Sequence, residues 1–191
     1  MTCRAFFEAL PEGNAVGQRA ALIDAAHPNG VCQLESVSEH SIAPVADEEY
    51  VFRYIFSPIH LEQDGSVKAA AFSDVSDKGL SCDRAPTAAP TNSMHERGNA
   101  SAAAYNAKPE NQTKEQRSYL GVVNANSAIV RDLGRTADGA ASFAIYDTAR
   151  ADNRDHIDVF QIVGAYTPSQ QKRIRKQLRD KFTRFPMLSS P

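Results

Sequence analysis

The chain has 191 residues, of which 42% are hydrophobic and 23% charged, and its formal net charge is −2. This length suits a single domain with a sizeable core, and the small net charge creates no overall field that favours nucleic acid or a membrane surface. No stretch approaches 18 consecutive apolar residues, which argues against a transmembrane helix.

The cysteine pattern bears on the cellular compartment. Cys3, Cys32 and Cys82 lie far apart and form no C-x-x-C pair, and the N-terminus does not resemble a secretory signal. We therefore expect three free thiols and a soluble protein of the reducing cytoplasm.

Residues 1–45 have mixed character, and we interpret them as an N-terminal extension that is partly helical. Asn14 is typical of a helix cap, and the Pro28–Gly30 segment predicts the end of that helix near His27. The main domain is predicted over residues 46–185. It opens with the aromatic and β-branched run 50–56, which is typical of a strand.

Arg53 is the one charge in this first strand. A guanidinium inside an apolar strand needs either a carboxylate or an anionic ligand. Asp74 and Asp83 are the candidate carboxylates, and Arg84 is the residue that would join Arg53 in holding a phosphate-like or nucleotide ligand.

Residues 83–118 are rich in Ala, Asn, Thr and Pro and contain almost no large apolar side chain. Such a composition buries too little surface to offset the entropy lost on ordering. We therefore predict a long, polar, mobile insert, which is either a tolerated surface insertion or a lid or partner-binding loop.

Regular structure is predicted again from residue 119. Strand-like runs occur at 119–125, 142–147 and 156–164, and a short helix follows Asn126 as its cap. Strands mixed with helices in this order predict an α+β fold with a small, mostly antiparallel sheet.

The C-terminal element is a predicted amphipathic helix that begins with a Thr167–Gln170 capping box. Its predicted apolar stripe consists of Ile174, Leu178, Phe182 and Phe185. Residues 168–191 carry seven Lys or Arg against one Asp, a formal charge of +6, so the rest of the chain carries −8. This asymmetry predicts a binding surface for an acidic protein or for nucleic acid, although a solvated basic face is the simpler explanation. The candidate binding residues on this helix are Lys172, Arg175, Lys176 and Arg179. Residues 186–191 are predicted to be a flexible tail.

Catalytic candidates are few. Ser81 and Cys82 lie beside Arg84, and His60 and His156 are the candidate bases for a nucleophile at either position. His60, Glu62 and Asp64 alternate as ligands on a strand would, but polar side chains on a solvent-facing strand explain this pattern equally well, so we predict no metal site. No G-x-G-x-x-G or Walker A motif is present, and no cofactor is assigned.

Part of the chain resembles a family of small uncharacterised bacterial proteins. The matching residues in the first half are Glu49, Val51, Phe52, Arg53, Ile55, Pro58, Asp64, Gly65, Ala71, Phe72, Ser73, Leu80, Ser81 and Arg84. Those in the second half are Gly121, Val122, Val123, Arg131, Asp132, Leu133, Gly134 and His156, together with the basic terminal helix. The resemblance covers residues 48–182 apart from the insert, and it implies a bacterial fold unit without implying an activity.

A fainter likeness is to ADP-ribosyltransferase-like toxins, in which a strand-borne Arg and a later Ser line a nicotinamide pocket. This likeness implies a cofactor-binding role for Arg53 and Ser81, but the glutamate signature of those toxins is missing. Three hypotheses therefore stand. The first is a binding module that uses the basic helix, the second is an NAD-using transferase or toxin-like enzyme with Arg53, Ser81 and His156 in a cleft, and the third is a nucleic-acid-binding accessory protein.

Overall fold

The structure is a computed structural model that describes residues 1–11, 19–134, 141–162 and 167–184. The predicted α+β class is confirmed. The described α-helices are α1 Cys3–Glu8, α2 Arg19–Ala26, α3 Asn92–Ala107, α4 Ser127–Asp132 and α5 Pro168–Lys181. Short 3₁₀ segments cover Pro28–Leu34, Ala69–Ser76 and Pro109–Asn111. Asn14 and the tail 186–191 lie outside the described residues.

The strands are β1 Tyr50–Ser57, β2 Leu80–Ala85, β3 Ser118–Asn126, β4 Phe143–Tyr146, β5 His156–Gln161 and β6 Thr183–Arg184. They form one sheet in the order β4-β5-β2-β1-β3-β6, and every neighbouring pair is antiparallel. The strands predicted at 50–56, 119–125 and 142–147 belong to this sheet. Of the strand predicted at 156–164, residues 156–161 belong to it, and residues 163 and 164 lie outside the described part of the chain.

One face of the sheet is apolar, and we call it the apolar face. Its side chains include Val51, Leu80 and Val159. The segment Ala69–Ser76, α4 and α5 cover this face. From the predicted stripe, Ile174 and Leu178 of α5 are buried against this face, as is the C-cap residue Phe182, whereas Phe185 lies outside the described residues. The predicted capping box of Thr167 and Gln170 is present.

The opposite face, here called the mixed face, is covered in two separate places. Side chains alternate along a strand, so Phe52, Asp83 and Phe160 lie on the face opposite to Val51, Leu80 and Val159. The N-terminal helices and Pro28–Leu34 pack over β4 and β5. The helix α3 packs over β1 and β3.

The prediction of a mobile insert over residues 83–118 is wrong. Its first residues complete β2, and the α3 helix begins after the cap Thr91, whose side chain accepts a hydrogen bond from the backbone of Met94. The buried face of α3 consists of Met94, Gly98 and Ala102. Small residues at this spacing let the helix approach the aromatic surface of the sheet closely, so α3 needs few large apolar side chains in order to pack.

The prediction of three free thiols is also wrong. Cys3 and Cys32 form a disulfide, because α1 and the Pro28–Leu34 segment meet over β4 and β5. Cys82 is free and buried on the apolar face. Among the described residues, no helix has both the length and the apolar character needed to cross a membrane.

Gly98 provides a test of how α3 packs. A Cβ at this position would overlap the ring of Tyr119 on β3. Replacing Gly with Ala inside a helix normally stabilises it by about 1 kcal/mol, but here we expect Gly98→Ala to lower the free energy of unfolding by about 1–2 kcal/mol because of the overlap. Urea denaturation measures the difference.

The matched control is Ala103→Gly, at an exposed position of the same helix. It should cost about 1 kcal/mol through helix propensity alone. If Gly98→Ala stabilises the protein while Ala103→Gly destabilises it, the close contact between α3 and Tyr119 is not as described.

Candidate functional site

The site forms where β1 and β2 separate. Their pairing ends at Phe52 and Asp83, although β1 continues for five more residues and β2 begins three residues before Asp83. On its other side β2 continues to pair with β5, with Ser81 opposite Asp158 and Asp83 opposite His156. A cavity of about 510 Å³ opens at this separation.

The cavity lies in the gap between the two coverings of the mixed face. It is lined by β1, β2, β5, one side of α3 and the loop that joins β4 to β5. Its lining residues include Arg53, Tyr54, Ser81, Asp83, Arg97, Ser101, Asn153 and His156. The three residues predicted to be catalytic, Arg53, Ser81 and His156, therefore line one cavity.

Arg53 holds the separated strands together. Its guanidinium donates from Nη1 to the backbone oxygen of Ser81 at 2.9 Å and from Nη2 to that of Ala71 at 3.2 Å. Asp74, one of the predicted carboxylate partners, lies 4.0 Å from Nη2. These hydrogen bonds connect β1 to β2 and to the Ala69–Ser76 segment where strand pairing is missing. The Arg53 guanidinium therefore holds the cavity wall in place, and its charge is used in contacts with protein groups.

Ser81 and His156 are in contact. The Ser81 Oγ lies 3.3 Å from Nε2 of His156 and donates a hydrogen bond to Oδ1 of Asp158 at 3.2 Å. The other ring nitrogen of His156, Nδ1, lies 3.0 Å from the backbone oxygen of Thr148. A carbonyl only accepts, so Nδ1 carries the hydrogen, and in the neutral ring Nε2 is the acceptor that faces Ser81.

Asp158 and Thr148 complete this network. The Thr148 hydroxyl donates to Oδ2 of Asp158 at 2.9 Å, so both carboxylate oxygens of Asp158 are engaged. Both His156 and Asp158 are buried. The arrangement is that of a hydroxyl beside an oriented base, as nucleophilic catalysis requires, with the nucleophile–base distance at the loose end of the range for a ligand-free site.

A buried carboxylate, that of Asp83, anchors the walls of the cavity. It accepts hydrogen bonds from the Tyr54 hydroxyl, from Nε and Nη2 of Arg97 at 3.0 and 2.6 Å, and from Nδ2 of Asn153 at 2.8 Å. These donors belong to β1, α3 and the β4–β5 loop. Burial and the neighbouring Asp83 carboxylate raise the pKa of Tyr54, which therefore stays protonated as a donor.

Cys82 has no place in this chemistry as a nucleophile. Its side chain lies in the apolar core on the other face of β2, and burial raises the pKa of the thiol well above its ordinary value. His60 is likewise structural. Its Nδ1 accepts a hydrogen bond from the backbone of Phe56, and burial, together with the charge of Arg53, lowers its pKa to about 4.

Arg84 does not join the cavity. It is buried with the apolar-face side chains of β2, where it pairs with Glu49 at 2.7 Å and donates to the backbone oxygen of Ala43 at 2.6 Å. Asp147 lies 3.4 Å away, and burial raises the pKa of this carboxyl to about 6 against the opposing effect of Arg84. The predicted pairing of Arg84 with Arg53 around a ligand is therefore wrong, because Arg84 connects the 43–49 segment to the sheet.

The basic residues of α5 lie on the far side of the sheet from the cavity. Lys172 and Lys176 are exposed, whereas Arg175 and Arg179 are partly buried. Arg179 donates to the backbone oxygen of Val67 at 3.1 Å, and Arg175 lies 3.5 Å from the Ser76 hydroxyl. Two of the four predicted binding residues thus help to dock the helix.

Sequence reasoning named Asp83 only as a carboxylate partner for Arg53, whereas in the structure Asp74 lies near Arg53 and Asp83 pairs with Arg97. It assigned no catalytic or binding role to Arg97, Thr148, Asn153 or Asp158. The alternation of His156 and Asp158 on a strand was a signal for two of the residues in the network, since alternation places both on one face. Arg97 lies in the segment predicted to be mobile, and Thr148 and Asn153 lie in a loop. No local pattern marks these three.

No protein-family model, curated protein or solved structure matches this chain. The two resemblances described from the sequence therefore stay predictions.

The Asp83 anchor is testable through stability. Asp83→Ala leaves the partly buried donors of Tyr54 and Asn153 without their acceptor and leaves Arg97 only its contact with Asp155, and we expect the free energy of unfolding to fall by about 3–5 kcal/mol. The matched control is Asp155→Ala. Asp155 contacts the same Nη2 of Arg97 at 3.1 Å, but its side chain is 42% exposed, against 1% for Asp83, so its loss should cost less than about 1 kcal/mol. Urea denaturation of both variants measures the two losses of unfolding free energy. Equal losses would contradict the anchoring role of Asp83.

Proposed function

We propose that the protein is an enzyme that catalyses acyl or related group transfer, with Ser81 as nucleophile and His156 as its base. The observation that carries the proposal is the 3.3 Å approach of Ser81 Oγ to His156 Nε2 inside a cavity of about 510 Å³. A cavity of this size suits a small molecule or the end of a longer chain.

The chemistry follows from the hydrogen bonds. The Ser81 hydroxyl turns from Asp158 to Nε2 of His156, its oxygen attacks the substrate carbonyl carbon, and its proton passes to Nε2. The leaving group takes this proton as its bond to carbon breaks. A water molecule then hydrolyses the acyl-Ser81 ester and restores both residues. Thr148 and Asp158 act as positioning residues, since they hold the imidazole and the resting hydroxyl.

A fluorophosphonate probe tests this proposal without knowledge of the substrate. We expect the wild-type protein to be labelled at Ser81, with loss of fluoride and transfer of the hydroxyl proton to His156. Peptide mass spectrometry locates the label. Ser81→Ala should abolish it, and His156→Gln should slow it by at least about 100-fold, because general-base assistance is worth about 10²–10⁴.

The matched control is Ser101→Ala. Ser101 lines the same cavity from α3, but the described structure places no base beside its hydroxyl, so its removal should leave labelling unchanged. The nucleophile assignment is wrong if the wild-type protein is not labelled, or if His156→Gln is labelled as fast while its thermal unfolding is unaltered. A rise in melting temperature with NAD that Arg53→Ala removes would instead favour the NAD-using transferase.

A second proposal concerns the exposed basic face of α5, defined here as Lys172, Arg173 and Lys176. All three are exposed, and among the described residues none of them has an ion-pair or hydrogen-bond partner. Unpaired cations on one helix face favour an acidic macromolecular partner. This is the binding module predicted from the sequence, with Lys172 and Lys176 kept and Arg173 in place of Arg175 and Arg179, whose side chains contact Ser76 and Val67.

Heparin affinity tests the basic face. Changing its three residues to Gln should lower the salt concentration needed for elution and reduce the slope of log affinity against log salt by about 2–3, roughly 0.7–0.9 per lost contact. The control triple variant is Lys78→Gln, Lys108→Gln and Arg154→Gln, which removes the same charge from exposed positions elsewhere. If both triple variants bind alike, the basic face has no specific role.

A further inference from the structure

The disulfide of Cys3 and Cys32 has a third potential ligand residue beside it. His27 follows α2 directly, and the two sulfur atoms and the nearest ring nitrogen all lie within 4.8 Å of one another. Cys3 begins α1, and Cys32 lies in the Pro28–Leu34 segment. Three different elements therefore converge on one point of the N-terminal layer.

The imidazole of His27 is oriented and available. Its ring packs edge-on against Phe6, with 4.9 Å between the ring centroids. Among the described residues, neither of its nitrogens has a hydrogen-bond partner. The ring is partly exposed, whereas both cysteines are buried. The cluster thus consists of two buried sulfurs beside a partly exposed imidazole.

We propose that the reduced protein binds one Zn²⁺ ion through Cys3, Cys32 and His27. Two thiolates and one imidazole are ligands that zinc prefers, and the tetrahedral site keeps a fourth position for water or another ligand. Ligands at Zn–S distances near 2.3 Å and Zn–N distances near 2.0 Å are separated by roughly 3.5–3.8 Å in a tetrahedron. The Cα atoms of the cysteines are 5.5 Å apart, which lets rotation of the two reduced side chains open the sulfurs to this spacing, and the imidazole nitrogen already lies within 4.8 Å of both.

The disulfide and the zinc site exclude each other. An external dithiol transfers two electrons and two protons to the disulfide and becomes a disulfide itself, which leaves two thiols on Cys3 and Cys32. Zinc binding then displaces both thiol protons to solvent. Either form joins two points that are 29 residues apart in the sequence, so the N-terminal layer remains cross-linked under both oxidising and reducing conditions.

This inference is independent of the group-transfer proposal. The cluster packs with Phe7, Tyr146 and Phe160 in the N-terminal layer. Ser81 does not belong to that layer, and a failure of one proposal leaves the other untouched. The sequence pattern did not indicate the site, because the cysteines lack C-x-x-C spacing and only the fold brings Cys3 to His27 and Cys32.

Metal titration of the full-length protein tests the site. The protein is reduced with a phosphine, desalted without oxygen, and titrated with Co²⁺ and with Zn²⁺. We expect one equivalent of Co²⁺ to bind, with thiolate-to-cobalt charge-transfer absorption and intense tetrahedral d–d bands, and to be displaced by one equivalent of Zn²⁺. The oxidised protein should bind at least about 100-fold more weakly.

Four variants assign the ligands. Cys3→Ser should weaken binding by at least about 100-fold, and His27→Ala by at least about 10-fold with loss of tetrahedral d–d intensity. The matched controls are Cys82→Ala and His40→Ala, which remove one thiol and one imidazole from elsewhere in the chain and should leave binding unchanged.

Three results would overturn the proposal. The first is a reduced protein that shows no sulfur-to-cobalt absorption. The second is a His27→Ala variant with wild-type affinity and spectrum, since the imidazole would then not be a ligand. The third is loss of binding in Cys82→Ala without loss in Cys3→Ser, because a different thiol would then hold the metal.

Discussion

The carboxylate of Asp83 is almost fully buried in the central strand β2, and it accepts hydrogen bonds from β1, from α3 and from the β4–β5 loop. A buried charge is tolerated only when it is paired and fully hydrogen-bonded. The three donors therefore have to stay where they are for the fold to be stable. Tyr54, Arg97 and Asn153 also line the cavity. Their hydrogen bonds to the Asp83 carboxylate therefore fix the positions of three walls of the cavity.

The cavity exists because the sheet is incomplete at this point. Pairing between β1 and β2 stops beside Asp83, and the Arg53 guanidinium bonds to the Ser81 carbonyl where a strand partner is missing. On the mixed face, the N-terminal layer and α3 cover different strands and leave a polar strip between them. Ser81, His156 and Asp158 lie on this strip. The polar side chains of this network satisfy one another's hydrogen bonds and also border a cavity. A reactive site needs both properties.

The two faces of the sheet separate the proposed activities. The exposed cations of α5 lie beyond the apolar face, while the Ser81–His156 pair lies on the mixed face. The sheet and its apolar core lie between them. The N-terminal layer belongs to the same face as the cavity, and the cross-link at Cys3 and Cys32 holds that layer on β4 and β5.

The sequence by itself determined those elements whose signals are local. The strands with aromatic and β-branched runs, the Asn126 cap, the Thr167–Gln170 capping box and the apolar stripe of α5 depend on neighbouring residues, and each is where the sequence predicts it. The sequence also singled out Arg53, Ser81 and His156, but their convergence in one cavity depends on strand order, which no local pattern records. Only the tertiary structure decided that residues 92–107 are helical, that Arg84 pairs with Glu49 and that Cys3 forms a disulfide with Cys32. The reason is the same in each case: the stabilising partner lies far away in the chain, so the free energy that orders the segment comes from a contact that exists only after folding.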